Sequence, residues 1–189
     1  MSPRSAARQR ILDTADRLFY DEGIRAVGIH RIVEEAGVTR VTLYRHFPSK
    51  DDLISTYLEN RAQYDRDQVN GLVARHADNP RQALVELATV LTDDDFAAMQ
   101  RGCPFINSSA EFTGAHVARE HSRTHRAWVT SVLEELLTRI GHPAPRSAAH
   151  QLMMVRTGAV VSRALDRNPE LSADFLAGWN LIIDGSVSA

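Results

Sequence analysis

Lysine is almost missing from this 189-residue chain: Lys50 stands alone against 21 arginines. The bias hints at a GC-rich coding sequence and carries no functional information. Cysteine is equally scarce. Cys103 is the only one, so no intrachain disulfide can form, and a reducing, cytoplasmic setting is expected. No apolar run approaches the ~20 residues that span a bilayer, so no membrane association is expected. The first residues, Met1-Ser2-Pro3-Arg4, have no apolar stretch behind them, and no secretory leader is expected. Strand-like alternation and internal repeats are missing. So are a glycine-rich phosphate loop, a nucleophile elbow and a metal-ligand signature, which argues against an enzyme and against any cofactor or metal.

What is present is helical. Hydrophobic content of 43 % suits a soluble globular protein. In residues 28–47, GIHRIVEEAGVTRVTLYRHF, the side chains of Ile29, Ile32, Val33 and Ala36 recur at i, i+3, i+4 and i+7, one apolar helical face. Gly37 can take the left-handed conformation that ends a helix. Thr39 is placed to cap the next helix by accepting from a free N–H of its first turn. In that helix Leu43 and Phe47 can face inward, which leaves Arg40, Thr42, Tyr44, Arg45 and His46 on the outer surface. Helix, glycine turn and a donor-rich second helix are the parts of a helix-turn-helix.

The stretch Ala36-Gly37-Val38-Thr39, Thr42-Leu43-Tyr44, His46-Phe47, Ser49-Lys50 and Asp52-Leu53 resembles the TetR family of bacterial transcriptional regulators, over about Arg8 to Leu58. The Leu-Tyr-x-His-Phe-x-x-Lys ending is not shared by helix-turn-helix motifs in general. Elsewhere the likeness is only one of length and helical pattern. Two positions depart from it. Gly28-Ile29 stands where many relatives carry Ser or Thr, so a side-chain cap is lost there. Val41 replaces a commoner small residue on the groove-facing side.

The expected fold is all-α: an N-terminal three-helix domain over residues 1–50, with a fourth helix at 50–76, and a larger helical domain over 51–189 for effector binding and dimerisation. Arg4, Arg8 and Arg10 are expected to open the chain as a mobile arm. Helix 1 carries Ile11, Leu12, Ala15, Leu18 and Phe19 and ends at Gly23. The small core is expected from Leu12, Leu18, Phe19, Ile32, Val33, Leu43 and Phe47. Ser49 and Asp52 form a capping-box pattern. Asn79-Pro80 starts another helix, with Leu84, Leu87, Ala88 and Leu91 on one face. Asp93-Asp94-Asp95 is expected to mark a bend. Gly102-Cys103-Pro104 is a second break, before a short segment from Phe105 to Phe112 and a long helix ending near Gly141. Residues 147–166 and 171–186 close the chain as a helical hairpin. Charge is uneven. Residues 1–50 hold nine basic and six acidic groups, the remainder thirteen and eighteen. A basic head on an acidic body is the pattern expected if only the head meets phosphates.

The resemblance implies a sequence-specific regulator of double-stranded DNA that binds a palindromic operator. It is expected to act as a repressor and to be released by a small apolar or amphipathic effector. DNA contacts would come from Arg8, His30, Thr39, Arg40, Val41, Thr42, Tyr44, Arg45, His46 and Lys50. Arg40 offers a fork that matches guanine, whereas Tyr44, His46 and Lys50 fall at phosphate-contacting positions. Candidate effector residues are Phe96, Met99, Phe105, Asn107, Glu111, Phe112, His121, Trp128, Met153 and Arg156, apolar walls with a few polar groups. The same residue types also build ordinary cores. A homodimer is implied through Leu152, Val155, Ala159, Phe175, Leu176, Trp179, Ile182 and Ile183, as a four-helix bundle. His116, Glu120, His121 and His125 include i, i+4 pairs, and Cys103 lies near Arg101, but neither a metal site nor a redox sensor is expected. A DNA-binding protein without an effector is the alternative of a different kind.

Overall fold

The computed structural model describes residues 3–90, 101–166 and 168–185. Leu91, Asp93, Asp94, Asp95, Phe96 and Met99 lie outside the described residues. The described elements are helices and the turns between them: α1 (Pro3–Glu22), α2 (Ile29–Glu35), α3 (Arg40–His46), α4 (Lys50–Arg75), α5 (Pro80–Val90), α6 (Pro104–Ala110), α7 (Val117–Arg139), α8 (Pro145–Leu165) and α9 (Leu171–Ile183). Among the described residues no helix is long and apolar enough to cross a membrane.

The chain divides into two compact units, one of residues 1–63 with 104–124, the other of 64–103 with 125–189. The head therefore does not stop at residue 50. The first half of α4 adds buried Leu53, Ile54, Tyr57 and Leu58 to it. Phe19 meets Tyr57 edge to face, with ring centroids 5.6 Å apart. Asp16 accepts from the Arg61 guanidinium at 2.7 and 2.5 Å. Three short helices bury too little apolar surface to be stable alone, and a fourth supplies the missing wall.

Within this unit the local chemistry follows the residue types. Gly23 (φ 95°) and Gly37 (φ 61°) take the left-handed conformation at the ends of α1 and α2, as expected. The capping box is present: Ser49 Oγ accepts from the Asp52 N–H at 3.0 Å, and Asp52 Oδ2 accepts from the Ser49 N–H at 2.9 Å. Leu12, Leu18, Phe19, Ile32, Leu43 and Phe47 are buried, whereas Val33 is half-buried. Residues 3–10 are not an arm but the first turns of α1. Arg10 donates to the Ala36 carbonyl at 3.3 Å, and the Arg8 guanidinium lies 5.2 Å from the Phe47 ring centroid. Glu35 accepts from both Arg17 and Arg31, tying α2 to α1 and holding its own carboxyl below the usual range.

The second unit has its own core, with Leu72 of α4, Ala83, Leu84 and Ala88 of α5, Leu133, Leu136 and Leu137 of α7, and the inner faces of α8 and α9. Asn79 caps α5, its side-chain oxygen accepting from the Gln82 N–H at 3.1 Å. The Trp179 indole N–H donates to the Leu84 carbonyl at 2.9 Å, which satisfies the one polar atom of the largest side chain buried there.

Leu152, Phe175, Trp179, Ile182 and Ile183 are buried in this chain's own core, and Val155, Ala159 and Leu176 pack against that core. Val155, Ala159 and Leu176 keep part of their surface exposed. The apolar residues that α8 and α9 leave exposed are Met154 (64 %), Val161 (39 %), Leu165 (77 %) and Leu181 (54 %). Each helix is apolar on two sides, and helical periodicity alone does not say which side the chain keeps for itself.

Candidate nucleic-acid interface

Because Leu43 is fully buried and Phe47 nearly so, α3 is held by one edge, and the rest of the helix faces away from the core. Thr39 starts it: its Oγ1 accepts from the Thr42 N–H at 3.1 Å and lies 2.9 Å from Thr42 Oγ1. The outward surface carries Arg40, Val41, Tyr44 and Arg45, all exposed. Val41 is 77 % exposed, an unusual state for an aliphatic side chain on a two-turn helix. The Arg40 guanidinium sits 5.5 Å from the Tyr44 ring centroid, so the two move as one cation–π pair. His30, on α2, is fully out in solvent and 3.9 Å from Glu34. These groups form one convex, donor-rich surface with an aliphatic group among them, which suits base edges and thymine methyls as well as phosphates.

Two expected members differ in posture. His46 is half-buried, with its ring centroid 6.5 Å from that of Phe47, and does not lie on the open surface. Lys50 turns inward: its Nζ donates to the Ile24 carbonyl at 2.5 Å and stands 5.9 Å from the Phe19 ring. Burial draws its ammonium below the ordinary value, opposed by Glu111 and Asp51. Lys50 thus closes the turn between α1 and α2. Glu111 reaches the same turn, its carboxylate accepting from the Ile24 and Arg25 N–H groups at 3.0 and 2.7 Å. No sequence spacing announces that pairing, since 87 positions separate Glu111 from Ile24.

The candidate effector residues divide between the units. In the first, Phe105 is buried, Asn107 lends its carbonyl to the Glu111 N–H at 3.3 Å, and Glu111 is engaged as described. There Phe112 stacks on His116 at 3.5 Å between ring centroids, and His121 Nε2 lies 2.6 Å from Ser55 Oγ. In the second, Met153 is buried in the core, Trp128 lies beside the Arg66 guanidinium at 5.8 Å, and the Arg156 charge acts on buried His125. Surface concavities among the described residues include one of about 320 Å³ lined by residues 114–117, 119, 120 and 123 and one of about 410 Å³ lined by 144–147 and 150, and neither of these involves any of the eight. The histidines of α7 and its approach meet separate partners: His116 lies 3.6 Å from Asp51, His121 meets Ser55, and His125 Nε2 lies 3.3 Å from Asp65. Cys103 is buried and free.

Sequence reasoning missed Arg66, on a different helix, as a charge acting on this buried histidine. The outward stripe Met154, Gly158, Val161 and Leu165 was legible as an i, i+4, i+7, i+11 spacing on α8, but the stronger apolar face of the same helix masked it.

Comparison with known proteins gives these features a context. Residues 11–56 match the family described as bacterial regulatory proteins, tetR family. The crystal structure of SCO4454, a TetR-family transcriptional regulator from Streptomyces coelicolor, is 38 % identical, with a TM-score of 0.89 and coverage of 95 % of each chain. The uncharacterized HTH-type transcriptional regulator Rv1255c of Mycobacterium tuberculosis is 32 % identical over 85 residues, 45 % of this chain and 42 % of that protein. The HTH-type transcriptional regulator SAUSA300_2515 of Staphylococcus aureus is 48 % identical over 46 residues, 24 % of this chain and 25 % of its own length. The alignments thus span less than half of these two curated relatives.

Proposed function

Because the chain belongs to the TetR family of transcriptional regulators, we propose that it is a sequence-specific DNA-binding regulator that represses from a palindromic operator and leaves it when a small molecule binds. The observation that carries this reading is the outward face of α3, where Arg40, Val41, Tyr44 and Arg45 are exposed on a helix pinned by Leu43 and Phe47. Arg40 is the base reader, able to give two parallel hydrogen bonds to guanine. Val41 meets a thymine methyl, and Tyr44, Arg45, Thr42 and Arg8 fix the register on phosphates. His30 reaches the duplex from α2. Thr39 acts mainly by capping α3. His46 and Lys50 serve by holding the head in shape.

The functional species is a homodimer. Its support is the second apolar stripe of the hairpin, Met154, Val161 and Leu165 with Leu181. Gly158 lies in that stripe, and a Cβ there would meet nothing within 4 Å in this chain. Glycine within a helix costs about 1 kcal/mol relative to alanine, so a fold that has no need of it at Gly158 has room there for a second copy. Two such heads would enter successive major grooves roughly 34–36 Å apart. An effector releases DNA only as far as it prefers the form that cannot bind the operator.

Selection of binding fragments from genomic DNA with the purified protein, at stated salt, tests the reading. One enriched palindrome is the expected result. Salt-sensitive binding with no preferred sequence would replace the regulator with an effector-independent, architectural protein.

A further inference from the structure

The second unit holds a cluster that DNA binding does not use. His125 of α7 is buried, and its Nε2 lies 3.3 Å from Asp65 Oδ2 of α4. The charges of three arginines act on it, Arg66 of α4, Arg126 of α7 and Arg156 of α8, each half-buried. Burial first, and then the charges of Arg156, Arg66 and Arg126, hold the His125 imidazole down to about 4, so at neutral pH it is uncharged. Among the described residues none of the three arginines is paired with a carboxylate. Arg126 donates to the neutral Thr157 hydroxyl at 2.9 Å, and Arg66 lies 5.8 Å from the Trp128 ring, whose centroid is 5.8 Å from that of His125.

These contacts orient guanidinium groups without neutralising them. A lone surface arginine needs no counter-charge, because water supplies one. Three half-buried arginines whose charges all act on one buried imidazole are different, since each has lost part of its solvent. Among the described residues the carboxylate beside His125 is that of Asp65, one negative charge against three positive ones. An arrangement of this kind is costly when empty and favourable once an anion enters. Guanidinium forks match a carboxylate in geometry and charge. The Trp128 ring beside them offers a flat apolar surface to whatever carries that carboxylate.

We propose that the second unit binds a small organic carboxylate with an apolar body, its charged end held by Arg66, Arg126 and Arg156 and its body set against Trp128. That this anion is also the effector rests on the ligand-released reading above. The site itself does not. It narrows the expected class of ligand from apolar or amphipathic to amphipathic and anionic.

The test uses the full chain and matched pairs of probes, benzoate with benzamide and hexanoate with hexanamide, at pH 7.5 and constant ionic strength. Thermal melting and calorimetric titration are read on the wild type, Arg156→Gln and Arg66→Gln. Each carboxylate is expected to raise Tm and to bind at least ~10-fold more tightly than its amide. Each variant is expected to lose about 10- to 100-fold of that affinity, the range of a charged hydrogen-bonded contact. The ligand-free variants are expected to melt no lower than the wild type, because removing an uncompensated charge relieves repulsion. Carboxylates no better than their amides, together with variants that melt lower, would make the cluster a structural network and overturn the proposal. Operator binding is followed in parallel. A carboxylate that binds without releasing DNA keeps the site and removes the effector reading. Release by neutral molecules, with carboxylates binding no better than their amides, removes the site and keeps the effector reading.

Discussion

The Glu111 carboxylate holds the backbone of Ile24, accepting its N–H at 3.0 Å and that of the next residue, Arg25, at 2.7 Å, while the Lys50 ammonium takes the Ile24 carbonyl at 2.5 Å. One peptide segment between α1 and α2 is thus gripped by groups of opposite charge from two other parts of the same unit. Ile24 is itself buried, so its amide has no ready access to water. The grip sets the angle at which α2 leaves α1, and α3 follows from α2 through the Gly37 turn.

Glu111→Ala leaves a buried N–H without its acceptor, and a loss of about 1–3 kcal/mol of folding stability is expected. Glu111→Gln keeps one acceptor and should lose less. Urea unfolding gives the magnitude, and hydrogen exchange at the Ile24 and Arg25 amides gives the location. Unchanged exchange in Glu111→Ala would mean that the carboxylate does not hold the turn in solution.

Lys50→Met tests the inward posture of that side chain. The expected outcome is lower stability with little change in the salt dependence of DNA binding, because a group donating to Ile24 is not releasing counterions from phosphate. A salt slope reduced by about one unit would instead return Lys50 to the duplex.

Arg40→Ala should relax preference at one base pair in each half-site, at a cost of about 1–3 kcal/mol in discrimination. Tyr44→Ala should weaken all sequences alike. Competition binding against a library of operator variants separates the two patterns. A uniform loss for Arg40→Ala would reassign it to the phosphates.

The two faces of the terminal hairpin predict opposite phenotypes. Val161→Glu or Leu181→Glu should dissociate the dimer while leaving helical content intact, as read by sedimentation and circular dichroism. Leu152→Ala should cost about 2–5 kcal/mol of stability through a core cavity without moving the monomer–dimer balance to the same degree. Dimers that survive both charged substitutions would place the interface elsewhere.

His125 predicts acid sensitivity. Its folded value is about 4 against 6.5 when unfolded, so between these values the unfolded chain binds the extra proton. The stability held above pH 6.5 should decline as pH falls from 6.5 toward 4, by on the order of 3 kcal/mol in all. Burial is the main cause, followed by the charges of Arg156, Arg66 and Arg126, while the Asp65 carboxylate faces the ring at 3.3 Å. His125→Asn should flatten the decline in Tm over that window, and an equally steep fall in the variant would assign it to other groups.

Short-range patterning carried much of this protein. The amphipathic stripe of α1, the glycine at the end of α2, the Thr39 cap and the Ser49–Asp52 box all rest on side chains meeting neighbours within a turn or two, and each appears where its residues demand it. The outward face of α3 is similarly legible, because burying Leu43 and Phe47 leaves its other residues little choice. Contacts across long sequence separations were not readable. Nothing in the spacing of Glu111, Lys50 and Ile24 reveals that they share one turn, and nothing in the positions of Arg66 and Arg156 reveals that both act on His125. The same holds for Leu152 and Met154, two apolar neighbours on α8, one of which fills the core while the other faces solvent. Helical periodicity defines faces. Which face is buried, and which charged groups are brought together without solvent, depends on the packing of helices from distant parts of the chain.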